Sequence, residues 1–186
     1  MDTPPLPRRK TIRLQNYDYS QNGAYFVTIC TAHKRPLFGV VRRGDPCGRP
    51  PVPVYAELSE IGRIVESYLT EIPSHYPDVH LASYVIMPDH IHMILVLTQN
   101  QPERAGQCPA PTEESDLPCR RGGTPGPPAL PKIINAFKSL TTRKAGISLW
   151  QRGYYEHILR NQQDFDEAAG YIAGNPVRRL EREGFW

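Results

Sequence analysis

No two cysteines of this chain stand at metal-knuckle or redox spacing. Cys30, Cys47, Cys108 and Cys119 form no C-x-x-C pair, which leaves no zinc-ribbon or thioredoxin-type chemistry to read. Also missing are an apolar leader at the N-terminus and any hydrophobic run long enough to span a bilayer. A soluble, cytoplasmic protein with free thiols and no membrane partner is the expectation. Charge of one sign is scarce as well: 22 Lys and Arg stand against 19 Asp and Glu, a net of +3. That is too little to attract nucleic acid through the overall field. Positive charge is instead clustered, at Arg8-Arg9-Lys10, Arg42-Arg43, Arg120-Arg121, Lys138 with Arg143 and Lys144, and Arg178-Arg179. Such clusters suit phosphate contacts, although each alone can equally be a solvated face.

What is present in excess is Pro and Gly, with 20 and 14 residues in a chain of 186. That length suits one domain with a real core, and the Pro residues concentrate in segments that can bury almost nothing. Residues 42–53 and 98–129 are both Pro- and Gly-rich with no hydrophobic period, so each reads as a disordered insertion within a single domain covering 1–186. Residues 1–15 read as a flexible basic arm that becomes ordered near Arg13.

Between these stretches the hydrophobic pattern alternates in type. Gly23 to Thr31 is rich in β-branched and aromatic residues and follows Asn-Gly, the mark of a strand. Leu58, Ile61, Ile64, Val65, Tyr68, Leu69 and Ile72 recur at three and four, predicting an amphipathic helix over 56–72 that ends at Pro73. Leu81 to Met87 and His90 to Leu97 read as a hairpin turning at Pro88-Asp89. Ile133, Ile134, Phe137 and Leu140 predict a helix over 131–144, and Ser148 to Arg152 a short extended segment. A last helix over 164–174 carries Asp164, Asp166 and Glu167 near its N-terminus, as the helix dipole prefers. Its buried stripe would be Phe165, Ala168, Ala169 and Ile172. The order is that of an α+β, ferredoxin-like βαββαβ fold: an antiparallel sheet with helices on one face and an extra C-terminal helix.

The most chemically loaded pair is His90 and His92. Residues two apart on a strand share a face, so both imidazoles can converge on one object while Ile91 points into the opposite layer. A His pair at a strand end can equally be satisfied by local hydrogen bonds, so the tripeptide alone does not decide. On the last helix Tyr171 and Asn175 lie four apart and share one edge. Pro176 is expected to stop that helix at Asn175 and free its side chain to turn towards a site. Asn before Pro is also an ordinary helix ending.

Taken together, Tyr-Phe-Val-Thr-Ile-Cys-Thr (25–31), Met-Pro-Asp-His-Ile-His (87–92), Lys-Ser-Leu-Thr-Thr (138–142), Trp-Gln-Arg-Gly-Tyr-Tyr-Glu-His (150–157) and Tyr-Ile-Ala-Gly-Asn-Pro-Val (171–177) resemble the REP-associated tyrosine transposases. These belong to the single-tyrosine HUH transposase superfamily. The resemblance covers nearly all the chain apart from residues 1–15 and the two insertions. It implies that His90 and His92 are metal ligands and that Asn175 is the third, where other branches carry Gln. Tyr171 is then the nucleophile. Tyr154 and Tyr155 are rivals, because both sit in a family motif, but neither is followed by an amide four residues on.

The implied activity is metal-dependent cleavage and rejoining of single-stranded DNA through a 5′-phosphotyrosine. The metal would polarise the scissile phosphate. Imidazole ligands lean towards Mn²⁺ or Zn²⁺ and a phosphate-rich site towards Mg²⁺; the resemblance favours Mg²⁺ or Mn²⁺. The implied partner is single-stranded or hairpin DNA in the form of REP-like palindromes. Arg13, Lys138, Arg143, Lys144, Arg152, Tyr154, Tyr155 and Arg178 are candidates to bind it. A bacterial, nucleoid-associated location and a monomer or homodimer would follow. Two other classes stay open: a nucleic-acid-binding module without chemistry, and a metal-dependent nuclease that uses water.

Overall fold

The computed structural model describes residues 21–43, 54–98 and 130–182, so Arg13, the N-terminal arm and nearly all of the two Pro-rich segments lie outside the described residues. Within them the chain runs β1 (Gly23–Cys30), β2 (Gly39–Arg42), β3 (Tyr55–Leu58), α1 (Glu60–Thr70), a short α2 (Ile72–His75), β4 (Val79–Met87), β5 (His90–Leu97), α3 (Leu130–Ala145), β6 (Tyr155–Leu159) and α4 (Gln162–Arg182). The four long strands form an antiparallel sheet in the order β4-β5-β1-β6. With α1 and α3 as the crossovers, this is the predicted βαββαβ arrangement.

The sheet separates two layers by simple alternation. Tyr25, Val27 and Ile29 of β1 and Ile91, Met93 and Leu95 of β5 are fully buried against Val65 and Leu69 of α1 and Ile133, Ile134 and Phe137 of α3. On the other face Ile94 and Leu159 meet Ile172 of α4, with Phe26, Val96, Phe165, Ala168 and Ala169 packed around them. Strand β5 is therefore covered on both sides, which is why it reads as an almost continuous apolar run. The predicted apolar stripe of the last helix is the stripe that docks.

The structure departs from the sequence expectations in four places. Residues 55–58 are not helical but pair with Gly39–Arg42 as a two-stranded ribbon; Leu58 fits both a helical and an alternating pattern, and only tertiary pairing decides between them. Arg42 thus belongs to a strand rather than to an insertion. The helix proper begins after Ser59, whose hydroxyl accepts a hydrogen bond from Gly62 N at 3.0 Å and donates one to Leu37 O at 2.7 Å. It ends at Thr70, and Pro73 sits in the first turn of α2, where its missing N–H costs nothing.

The segment 148–152 contributes only a bridge between Thr31 and Trp150, and the pairing strand is Tyr155–Leu159. Trp150 is drawn into the core, where its Nε1 donates to Thr141 Oγ1 at 2.9 Å. Finally, Pro176 does not stop the last helix. α4 runs through it to Arg182, because Asn175, Pro176 and Leu180 are all buried. The packing outweighs the one backbone hydrogen bond that proline cannot donate.

A close approach fixes one glycine. At Gly62 a Cβ would collide with the backbone carbonyl of Phe38, which is itself bonded to Ser59 N at 2.9 Å. Gly62→Ala is expected to destabilise the fold by about 2 kcal/mol, a cost typical of overpacking against backbone. Urea unfolding measures this, and a loss below about 0.5 kcal/mol would refute the constraint.

Candidate active site

The second sheet face, under α4, carries the histidine pair. In register, Thr28 of β1 lies opposite His92 and Cys30 opposite His90, so all four share one face. The imidazole rings of His90 and His92 stand 4.6 Å apart, edge to face. His92 is buried and stacks on Phe26 at 5.3 Å, with a 2.8 Å hydrogen bond between its Nδ1 and Thr28 Oγ1. Burial, reinforced by the neighbouring His90 and only partly opposed by Asp89, lowers the His92 pKa to about 3. The ring is therefore neutral at physiological pH.

His90 is oriented differently. Its Nδ1 lies 2.7 Å from Asp89 Oδ1. The Asp89 pKa is lowered: burial acts to raise it, but the hydrogen bond and charge of His90 and the charge of Arg179 outweigh that. An ionised carboxylate can only accept, so the proton sits on His90 Nδ1. In both rings Nδ1 is thus engaged and Nε2 is left as the nitrogen available to a ligand, the pattern in which outer partners orient metal-binding histidines.

Helix α4 lays its chemical groups across this pair. The Tyr171 ring lies 5.2 Å from His92 and 6.0 Å from Phe26, and about a third of its surface is exposed. One turn on, Asn175 is buried, and its Nδ2 has no hydrogen-bond partner among the described residues. The guanidinium of Arg178 stacks over the Tyr171 ring at 4.9 Å from the centroid. On the next position Arg179 reaches Asp89 with Nη1 at 3.4 and 3.5 Å from its two oxygens. Asp89 therefore links the hairpin to the helix.

Neither Asp89 nor Arg179 was among the residues singled out from sequence; Asp89 read as turn chemistry and Arg179 as part of a basic cluster. The only available signal was that Asp89 adjoins His90. Cys30, read as a core residue, is half-buried on the site face, and burial pushes its thiol pKa up.

The other predicted residues divide. Lys138 is committed to the carbonyls of Gln151 and Gly153 at 2.8 and 3.0 Å, and burial lowers its pKa, so it braces the 151–153 turn. Arg152 is exposed on that turn, and Arg143 and Lys144 are exposed in the last turn of α3. Tyr154 packs against the main core on the far face. Tyr155 is exposed on the site face, in a cleft it shares with Tyr171 and His92. Of the three tyrosines, Tyr171 is the one with a ring contact to His92 among those described.

The donor set suits a divalent cation. Among the described residues no three His, Cys, Asp or Glu side chains come together to hold a metal. A neutral buried imidazole, a second imidazole fixed by a carboxylate, and the carbonyl oxygen of the Asn175 amide are donors that suit a divalent cation.

No protein-family model matches the chain. Two curated proteins of Haemophilus influenzae are similar to it. One, uncharacterised, is 30% identical over 92% of this chain and 90% of its own length. The other, described as a REP-associated tyrosine transposase, is 23% identical over 89% of this chain and 77% of its own. Among solved structures, a REP-associated tyrosine transposase bound to a REP hairpin has the same fold, with a TM-score of 0.55 at 16% identity, over 90% of this chain and 73% of that one.

The buried neutral state of His92 has a consequence for stability. Its folded pKa lies below the unfolded value near 6.5, so the unfolded chain binds the extra proton as pH falls between them. Its contribution is complete above pH 6.5 and is lost on acidification towards pH 3, at up to about 1.4 kcal/mol per pH unit. Without added metal, His92→Gln is expected to flatten the decline in unfolding free energy between pH 6.5 and 5. An unchanged slope would show that His92 does not titrate as described.

Proposed function

The chain is similar to the REP-associated tyrosine transposases, and we propose on that likeness that it is one of them and cuts and rejoins single-stranded DNA beside a hairpin, with Tyr171 as the nucleophile. The observation that carries this reading is the contact of the Tyr171 ring with His92, 5.2 Å away and itself in edge contact with His90. Three groups meet there, two imidazoles on β5 and a phenol on α4, about 80 residues further along the chain.

In this reading His90, His92 and Asn175 hold Mg²⁺ or Mn²⁺, which when bound polarises the scissile phosphate and neutralises charge on its oxygens. Thr28 and Asp89 engage Nδ1 of the two imidazoles, so Nε2 of each would be the atom to hold the ion. The Tyr171 oxygen, having given its proton to solvent, attacks phosphorus in line. A Tyr–O–P bond forms and the bond from phosphorus to the 3′ oxygen breaks. The leaving 3′ oxygen takes up a proton, and the 5′ end stays on the protein as a phosphotyrosine. The ester is conserved, so a free 3′-OH can reverse the step and join strands without ATP. Arg178, stacked on the same ring, sets a permanent positive charge where phosphate arrives.

The phosphodiester must reach both Tyr171 on α4 and the histidine pair on the sheet beneath it, which favours unpaired strand over duplex. The REP hairpin bound by the structural relative makes REP-like palindromes the substrate to try first. Arg143, Lys144 and Arg152 supply exposed positive charge for its backbone. No described helix is long and apolar enough to cross a membrane, and the bacterial nucleoid is the proposed place of action.

Two measurements test this. Incubation with labelled hairpin DNA carrying single-stranded flanks and Mn²⁺ is expected to yield a covalent protein–DNA band that EDTA abolishes, that Tyr171→Phe eliminates and that Tyr155→Phe retains. A band surviving in Tyr171→Phe moves the nucleophile elsewhere, and cleavage without any band means water is the nucleophile. In the second, Arg179→Ala is expected to weaken Mn²⁺ binding about tenfold, the usual scale for losing an outer partner of a ligand, with hairpin binding in EDTA kept. Equal losses in both would make Arg179 a phosphate contact.

A further inference from the structure

Beside Tyr171 the site face opens into a cleft of about 430 Å³ between β1, β6 and the first half of α4. Its walls are aromatic, from Phe26, Tyr155 and Tyr171, and its outer end carries Asp164 and Glu167. The volume is that of a small-molecule site. The exposure of the two tyrosines, 48% for Tyr155 and 37% for Tyr171, leaves ring surface free for a flat group.

The electrostatics limit what that group can be. Residues 164, 167, 171, 175 and 178 follow at steps of three and four, so they form one stripe along α4. Along it the side chains pass from two carboxylates, through the phenol and the amide, to the Arg178 guanidinium. A phosphate is repelled at the first end and attracted at the last. Each carboxylate commits one oxygen locally: Asp164 Oδ2 accepts from Arg160 N at 3.1 Å, and Glu167 Oε1 from Gln163 Nε2 at 3.0 Å. The second oxygen of each has no hydrogen bond among the described residues and remains an acceptor.

We propose that this cleft takes an unpaired nucleobase of the strand next to the attacked phosphate and selects one that presents an exocyclic amine. The inference rests on the reading that single-stranded DNA is the substrate. Stacking on Tyr155 and Tyr171 holds any base, since every base has a π-face. Carboxylate acceptors then favour the amino groups of cytosine, adenine or guanine. Thymine turns carbonyl oxygens to both sides of its single N–H and is disfavoured. The arrangement also sets strand polarity, with base towards Asp164 and Glu167 and phosphate towards Arg178.

The test is fluorescence anisotropy with short labelled oligodeoxyadenylate, oligodeoxycytidylate and oligothymidylate, in EDTA so that no metal or chemistry is needed. The adenine and cytosine strands are expected to bind at least about tenfold more tightly than the thymine strand, the scale of one hydrogen bond to a charged acceptor. Glu167→Gln, at an exposed helix position, should lower that ratio, and Asp164→Asn with Glu167→Gln should bring it near one. A fluorescent purine analogue within the strand should be quenched on binding, and Tyr155→Ala should relieve the quenching where Tyr155→Phe does not. No preference in the parent protein, or a preference that survives in both Glu167→Gln and the double variant, overturns the proposal. A covalent band without base preference removes the cleft assignment alone, whereas base preference without a band removes the catalytic reading and leaves the cleft.

Discussion

One carboxylate ties the two halves of the site together. Asp89, in the turn between β4 and β5, accepts from His90 Nδ1 and from Arg179 of α4. The first bond fixes an imidazole, and the second fixes the helix that carries Tyr171 and Asn175. Asp89 is half-buried, and so is Arg179, which makes the pairing matter more than an exposed ion pair would. Removing the arginine would leave a partly desolvated carboxylate with less compensation. The turn itself is held from below, since Thr31 donates its N–H and its hydroxyl to the Asp89 carbonyl at 2.9 and 3.0 Å. Position passes from the sheet core, through Thr31 and Asp89, to both histidine and helix.

The sheet makes such an arrangement possible because both of its faces are used. On the α1 and α3 side alternation places mostly apolar groups, with Glu156 of β6, opposite Val27, a buried exception, and the larger apolar cluster of the domain lies there. On the α4 side the apolar patch of Ile94, Leu159 and Ile172 is smaller and gives way to polar groups towards one end of β5. Burying His92 there is tolerable because the ring is neutral and hydrogen-bonded to Thr28. A protonated ring in the same place would be expensive, which ties acid sensitivity to the histidine that lies under the helix.

What the sequence could disclose follows the range of the forces involved. The β-branched and aromatic residues of Gly23 to Thr31, the nearly continuous apolar run of Ile91 to Leu97, and the i, i+3, i+4 stripe of Phe165 to Ile172 are local signals of burial, and the strands and docking helix were legible from them. So was the shared face of His90 and His92, which follows from strand geometry alone. The ribbon of Gly39–Arg42 with Tyr55–Leu58 was not, because each strand is four residues long and acquires its identity only from its partner. Tyr155–Leu159 was obscured by the Trp-Gln-Arg-Gly stretch before it, whose tryptophan belongs to the core and not to a paired strand. The Asp89–Arg179 link, 90 residues apart in sequence, has no local signature at all.

Pro176 shows most clearly how tertiary contacts overrule a local rule. By itself it should break α4 directly after Asn175, and the loss of its N–H leaves the carbonyl of Ile172 without the usual helical donor. The helix nevertheless continues, pinned on one side of the proline by Ile172 in the apolar patch and on the other by buried Leu180 and the Arg179–Asp89 pair. Tyr171 and Asn175 both lie just before this weak point. Their placement is set less by the continuity of the helix than by what clamps it at either end. A site assembled this way is as well ordered as its docking contacts, among them the ion pair whose carboxylate also orients His90.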